Sequence, residues 1–267
     1  MKKIIFQGLT IVALFFITWL ALSKINWVAI FKVEKLSKTT EEKLGDLFWD
    51  MFNQSEKVIR DKEILAPIDS IITRICTSNN IDRNQIKLHI IQNKEINAFA
   101  LPNKHLVIYT GLISAAENEA ELSGVIGHEL AHMEMSHVMK KLIKEVGLSV
   151  LISMSTGNNS SEVIKETAKL LSSTAFDRNL EKEADMKAVD YLINSDINPE
   201  SFANFLYKMA DDESKVGKHL SWISTHPNSR ERAEYIIQYS KTKSQKSNPI
   251  LTQATWNQIK THKKSQD

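Results

Sequence analysis

Gly127-His128-Glu129-Leu130-Ala131-His132 is the stretch from which the rest of the chain is read. On a helix, residues four apart stand one above the other, so His128 and His132 can offer two imidazoles to one ion. Glu129 lies about 100° round from His128 and can reach a water at that ion without binding the ion itself. Zinc favours neutral nitrogen ligands at about 2.0–2.1 Å and tolerates one position open to water. A neighbouring carboxylate can take the proton from such a water. Leu122, Val125, Ile126 and Leu130 surround the motif with apolar side chains, as a buried helix requires. Taken alone, the pattern also fits two surface histidines on an amphipathic helix.

A third ligand must come from elsewhere. Arg178-Asn179-Leu180-Glu181-Lys182-Glu183-Ala184-Asp185 supplies Glu181 and Asp185 four apart on one helical face, with Arg178 one turn earlier. One carboxylate can hold the ion while the other orients a ligating imidazole through its ring N–H. By itself this run would read as a charged, solvated face. Its pairing with the His motif is what gives it chemical meaning.

Working outward, Thr39 to Phe52 carries Leu44, Leu47, Phe48, Met51 and Phe52 at helical spacing, and Glu56 to Cys76 carries Ile64, Ile68, Ile71, Ile72 and Ile75. Gln85–Gln92, Asn97–Leu101 and Leu106–Tyr109 predict two or three strands of a small sheet, turned by Pro102 and Asn103. Helix is expected again from Ala116 to about Lys144, then over 160–172, 177–194, 199–211 and 229–239. On an unbroken helix His137 falls about 140° round from His132, so it reads as a structural or surface histidine. His89 and His105 read as strand residues without a role in the site.

The chain has 267 residues, 42% hydrophobic and 25% charged, enough for one sizeable domain with appendages. A formal charge of +2 gives no preference for nucleic acid, and the single cysteine, Cys76, excludes an internal disulfide. Residues 4–23, between Lys3 and Lys24, carry no charge. As a helix that run matches the roughly 30 Å hydrocarbon layer and exceeds the usual core of a cleaved signal, although Ala21-Leu22-Ser23 could pass for a cleavage site. Counting lysines favours a cytoplasmic body, whereas the short Lys-Lys start resembles export signals; the expectation is a single pass with the body outside the inner membrane.

Further motifs fall in order: Asn97-Ala98-Phe99-Ala100-Leu101-Pro102, Tyr109-Thr110-Gly111-Leu112, HExxH, ExxxD within Glu-Lys-Glu-Ala-Asp, and Ser224-Thr225-His226-Pro227 before a last helix. This series over residues 60–240 resembles the HtpX/BepA-type gluzincins, relatives of the CAAX prenyl protease Ste and of Oma. The resemblance implies one zinc ion per chain held by His128, His132 and Glu181, with Glu129 as general base and Asp185 supporting a ligand. It also places His226 and Arg232 near the active site, and makes Ala98–Leu101 or Leu106–Tyr109 a sheet edge that holds polypeptide. HtpX-type members span the membrane several times, whereas one segment is seen here.

The resulting expectation is α+β: a mostly helical zincin-like domain with a small sheet beside the cleft, plus one N-terminal transmembrane helix. Residues 1–24 are the anchor or signal segment, 25–55 a membrane-proximal connector, 56–240 the metallopeptidase domain and 241–267 a polar flexible tail. The function implied is a membrane-anchored zinc metalloendopeptidase acting on misfolded envelope proteins. The rival is a zinc-containing chaperone or assembly factor with little proteolysis.

Overall fold

A computed structural model describes residues 33–213, 221–243 and 247–261, with five isolated positions nearer the N-terminus. Apart from those five positions the expected anchor lies outside the described residues, and among those described no helix is long and apolar enough to cross a membrane. The chain divides into two units, residues 1–40 and 41–267, and the second carries everything that follows.

The sheet has four strands, β1 (Val58–Ile59), β2 (Lys87–Ile91), β3 (Ala98–Leu101) and β4 (His105–Tyr109), in the order β1-β2-β4-β3. β2 and β4 run parallel, while β1 and β3 are antiparallel to their neighbours. β1 was not foreseen, because two residues are too short for an alternating pattern to register. Leu106–Tyr109 is interior, between β2 and β3, so of the two stretches expected at an edge only Ala98–Leu101 stands at one. Asn103 and Lys104 both take positive φ to close the β3–β4 hairpin, a conformation that asparagine tolerates better than most residues.

Helices make up most of the remainder. α1 (Val33–Ser55) buries Leu44, Phe48 and Phe52, so residues 41–55, expected in a connector, belong to the compact second unit. Gly45 makes this possible, since a Cβ there would stand 2.2 Å from the Pro102 carbonyl. α2 (Lys62–Ser78), capped by the Asp61 side chain, buries the expected isoleucine stripe. α3 (Thr110–Ala115) leads into α4 (Glu119–Glu134), which carries the His motif and is capped by Asn118.

The long helix expected through Lys144 breaks at Ser136, which adopts a left-handed conformation with φ 57°. A new helix, α5 (His137–Val146), then starts after that residue. α6 (Leu148–Ser155), α7 (Ser161–Ser173), α8 (Arg178–Asn194) and α9 (Glu200–Glu213) follow. α4 packs on α8 and on α9, and Gly124 lets α9 approach, because a Cβ there would collide with Phe202 at 2.4 Å. The segment before Pro227, expected as loop, is a short helix, α10 (Ser221–Thr225), followed by α11 (Ser229–Ser240).

The C-terminal stretch also departs from expectation. Residues 253–261 form α12 (Gln253–Thr261) rather than a mobile tail, because Trp256 and Ile259 are buried. The Glu119 carboxylate accepts the Ile250 and Leu251 backbone N–H groups at 2.6 Å each, fastening this segment to the start of α4. A few apolar side chains, Ile250, Leu251, Trp256 and Ile259, in a largely polar stretch gave too weak a signal to read.

Candidate metal centre

α4 and α8 lie against each other, and their facing turns bring His128, His132 and Glu181 together. His128 Nε2 and His132 Nε2 stand 3.0 Å apart, and Glu181 reaches to 3.3 Å from His132 Nε2 and 3.6 Å from His128 Nε2. His226, from the turn after α10, joins them at 2.8 Å from Glu181 Oε1 and 3.1 Å from His128 Nε2. Each of the four is 3% exposed or less.

The ring nitrogens facing away from this cluster are engaged. His128 Nδ1 lies 2.8 Å from Asp185, and His132 Nδ1 lies 3.1 Å from His137 Nδ1. An imidazole that donates from Nδ1 presents a lone pair at Nε2. Two buried lone pairs therefore face each other beside a carboxylate whose Oε2 makes no hydrogen bond. Ligands around a tetrahedral zinc at about 2.0–2.1 Å are separated by roughly 3.3 Å. The spacings and the donor set fit that ion.

Asp185 holds more than the His128 ring. It receives the Arg232 guanidinium in a paired fashion, at 2.7 and 2.8 Å, together with the Tyr235 hydroxyl. Arg232 also donates to the His226 carbonyl at 2.9 Å and approaches Glu181 Oε2 at 3.0 Å, too far out of line for a hydrogen bond. One buried cation thus stands against Glu181 and Asp185 of α8 and the turn bearing His226.

Burial pushes the Asp185 carboxyl up, but the Arg232 and His128 charges outweigh it and hold the group at about 2. Burial likewise opposes ionisation of Glu181, and the His226 and Arg232 charges bring it well below its ordinary value. Burial presses His132 down to about 3, toward the neutral form that a metal ligand needs. At His226 the burial that disfavours an imidazolium is outweighed by Glu181 and Glu129, lifting it to about 9. A divalent cation among the same carboxylates would supply that positive charge instead.

Glu129 sits beside the cluster without joining it, 3.3 Å from His226 Nε2. Burial raises its carboxyl, yet the His226 charge and hydrogen bond dominate and hold it at about 2. Its Oε1 accepts the Trp222 indole N–H at 3.1 Å. Trp222 is fully buried, and its backbone N–H donates to the Ile96 carbonyl just ahead of β3. Phe176 stacks on His132 at 4.1 Å and lies under the Lys141 ammonium. Trp222 of α10 and Phe176 pack against the donors, each of which is 3% exposed or less.

Sequence reasoning missed two participants. His137 was set aside on the geometry of a continuous helix, and the turn at Ser136 brings it to His132 instead. Trp222 stood in what read as loop, although its spacing of four from His226 was a helical signal. His89 and His105 lie outside the cluster, paired with each other.

The profile of peptidase family M48 matches residues 65–239. A beta-barrel assembly-enhancing protease of Yersinia pestis is 26% identical over 204 residues, covering 72% of this chain and 42% of its own length. The metalloprotease LoiP of Escherichia coli is 29% identical over 197 residues, covering 69% of this chain and 77% of its own length. The mitochondrial metalloendopeptidase OMA1 of Bos taurus is 28% identical over 163 residues, covering 56% and 31%. This chain thus spans less than half the length of the first of these relatives. The matched span contains both helices of the donor cluster and the turn bearing His226, and the chain belongs to peptidase family M48, a family of zinc metallopeptidases.

Proposed function

We propose that this chain is a membrane-anchored zinc metalloendopeptidase that cleaves polypeptides of the cell envelope. The observation that carries the reading is the pair of buried Nε2 atoms 3.0 Å apart, with the Glu181 carboxylate beside them and Glu129 adjacent but outside the donor set. His128, His132 and Glu181 would hold the ion, with Asp185 and His137 fixing the rings. Zinc supplies a Lewis acid for the scissile carbonyl and lowers the pKa of water. Glu129, ionised, accepts the proton from the attacking water and returns it to the leaving amine. His226 belongs to the resting arrangement, where it fills the position that water and substrate need. When α10 swings aside it can donate to the developing oxyanion.

The charge-free run over residues 4–23 supports a single anchor, and placement of the body outside the inner membrane follows the export-like start. The anchor and peptidase segments expected from the sequence stand as part of this proposal, with the membrane-proximal segment now ending near residue 40 and the C-terminal stretch 253–261 docked as α12. Misfolded envelope proteins are the substrates that the resemblance to HtpX/BepA-type gluzincins implies, and the name of the Yersinia pestis relative refers to beta-barrel assembly. A zinc-containing assembly factor with little proteolysis is the second reading. It is favoured by the closure of the cleft, in which no donor is more than 3% exposed.

Glu129→Gln separates the two. The change keeps size and shape but removes the proton acceptor, so casein cleavage should fall by about 10³–10⁴-fold while zinc stays at one per chain. Undiminished cleavage by the variant would remove Glu129 from the chemistry. A parent protein that binds zinc and cleaves nothing would favour the assembly reading.

A further inference from the structure

The first turns of α8 and α11 lie side by side and leave a cavity of about 230 Å³ between them. Its walls include Arg178 and Lys182 from α8, Glu231, Arg232 and Tyr235 from α11, and Glu181, which also belongs to the donor cluster. Whatever occupies this cavity therefore lies next to the metal centre. Both helices, of 17 and 12 residues, start at its rim and turn the positive ends of their dipoles toward it.

The side chains here are unevenly committed. Arg232 is bound to Asp185, and Glu181 is balanced by Arg232 and His226. Arg178 and Lys182 are exposed, and among the described residues neither forms an ion pair. Lys182 only overhangs the Tyr235 ring, at 5.7 Å from its centre. Lys187 on α8 is likewise without an ion pair among the described residues, whereas Lys144, Lys208 and Arg230 on nearby helices, and Lys243 just after α11, have carboxylate partners. Glu231 is the one acid of the rim outside the metal cluster.

We propose that this cavity is a substrate subsite for a carboxylate, in which Arg178 and Lys182 select polypeptides with an acidic side chain or chain terminus close to the scissile bond. The selection rests on the peptidase reading given above. Two exposed cations meeting one carboxylate are worth about five- to tenfold in affinity together, since each such pair contributes only a few tenths to 1 kcal/mol. The preference should shrink at high salt, where exposed charges are screened.

The experiment uses the full-length, zinc-loaded Glu129→Gln protein and measures binding of fluorescent peptide pairs by anisotropy. One pair differs only by Glu or Gln at a single position, scanned along an amidated peptide. A second pair differs only by a free or amidated C-terminus. The expected result is one Glu position, or the free terminus, binding about five- to tenfold tighter than its neutral partner. Either arm supports the subsite and identifies the carboxylate it takes. Arg178→Glu/Lys182→Glu should abolish or reverse the preference with zinc content unchanged, and Glu231→Gln should enlarge it. Equal binding of both pairs, or a preference indifferent to the double substitution, overturns the subsite. The peptidase reading fails separately, if the parent protein bearing Glu129 cleaves none of the peptides that are bound.

Discussion

The Trp222 indole N–H points at Glu129 Oε1 from 3.1 Å, so the carboxylate proposed to receive a proton from water already receives one hydrogen bond from an aromatic lid. His226 stands on the same oxygen at 3.3 Å. Both contacts depend on α10 lying against the stretch before β3, through the Trp222 backbone bond to Ile96. The lid, the potential fourth ligand and the base are thus one mechanical unit.

Trp222→Phe tests that unit. The substitution keeps an aromatic ring in the core but removes the N–H, and a hydrogen bond to a charged acceptor contributes about 1.5–3 kcal/mol. If that bond holds the closed form, cleavage of a short peptide should rise about threefold or more, because part of the closing energy is lost. The check is kcat/KM on a peptide alongside zinc content. A fall in kcat/KM with full zinc would instead make Trp222 a support that positions Glu129 for reaction.

A second relationship governs acid stability. His89 Nε2 lies 2.9 Å from His105 Nδ1, His105 Nε2 lies 3.1 Å from Asp46, and Lys87 Nζ lies 2.8 Å from the same carboxylate. Trp49 stacks on His89 at 3.4 Å and ties α1 to the sheet. Burial lowers His89 to about 3, helped by the His105 and Lys87 charges. It lowers His105 to about 4 as well, with Lys87 adding to burial and Asp46 opposing it. An unfolded histidine titrates near 6.5, so below that pH the unfolded chain binds protons that the folded chain refuses. The contribution of this pair to stability should therefore be full above about pH 6.5 and decline toward pH 4. Urea midpoints at pH 7.5 and 5.0 measure this, and His89→Gln should narrow the difference. Equal midpoints in the parent protein would show that the pair is not held neutral.

The centre was legible because its chemistry is local. His128 and His132, with Glu129 between them, span little more than one turn, and so do Glu181 and Asp185, so helical periodicity alone fixes which side chains share a face. What joined the two segments was the requirement of zinc for a third ligand, not any pattern in the chain. The isoleucines of α2 were readable for the same reason as the His motif. Ser136 was not, because a left-handed residue outside glycine leaves no compositional mark, and the helix break there redirected His137. The docked α12 was hidden by its composition, since its burial rests on Trp256 and Ile259 amid polar neighbours. The edge position of β3 follows from strand order, a long-range property that no single strand encodes.

His137 provides the last test. For His132 to ligate through Nε2, its Nδ1 must carry the proton and give it to an acceptor, and His137 Nδ1 at 3.1 Å is placed to be that acceptor. His137 then carries its own proton on Nε2, which faces Glu183 Oε2 at 3.3 Å without good hydrogen-bond alignment. His137 is fully buried, whereas the Glu183 side chain is 52% exposed, so water can replace the glutamate but not the histidine. His137→Phe preserves a ring and removes the acceptor. It should weaken zinc binding about 10- to 100-fold, the usual cost of losing the partner of a ligating imidazole. Glu183→Gln should change it little, and Glu181→Gln, which removes a donor, should cost most. Competition against a chelator gives the zinc dissociation constants, and a thermal melt confirms that each variant is folded. If folded His137→Phe binds zinc as tightly as the parent protein, the 3.1 Å contact is packing, and the His132 ring is held by Phe176 instead.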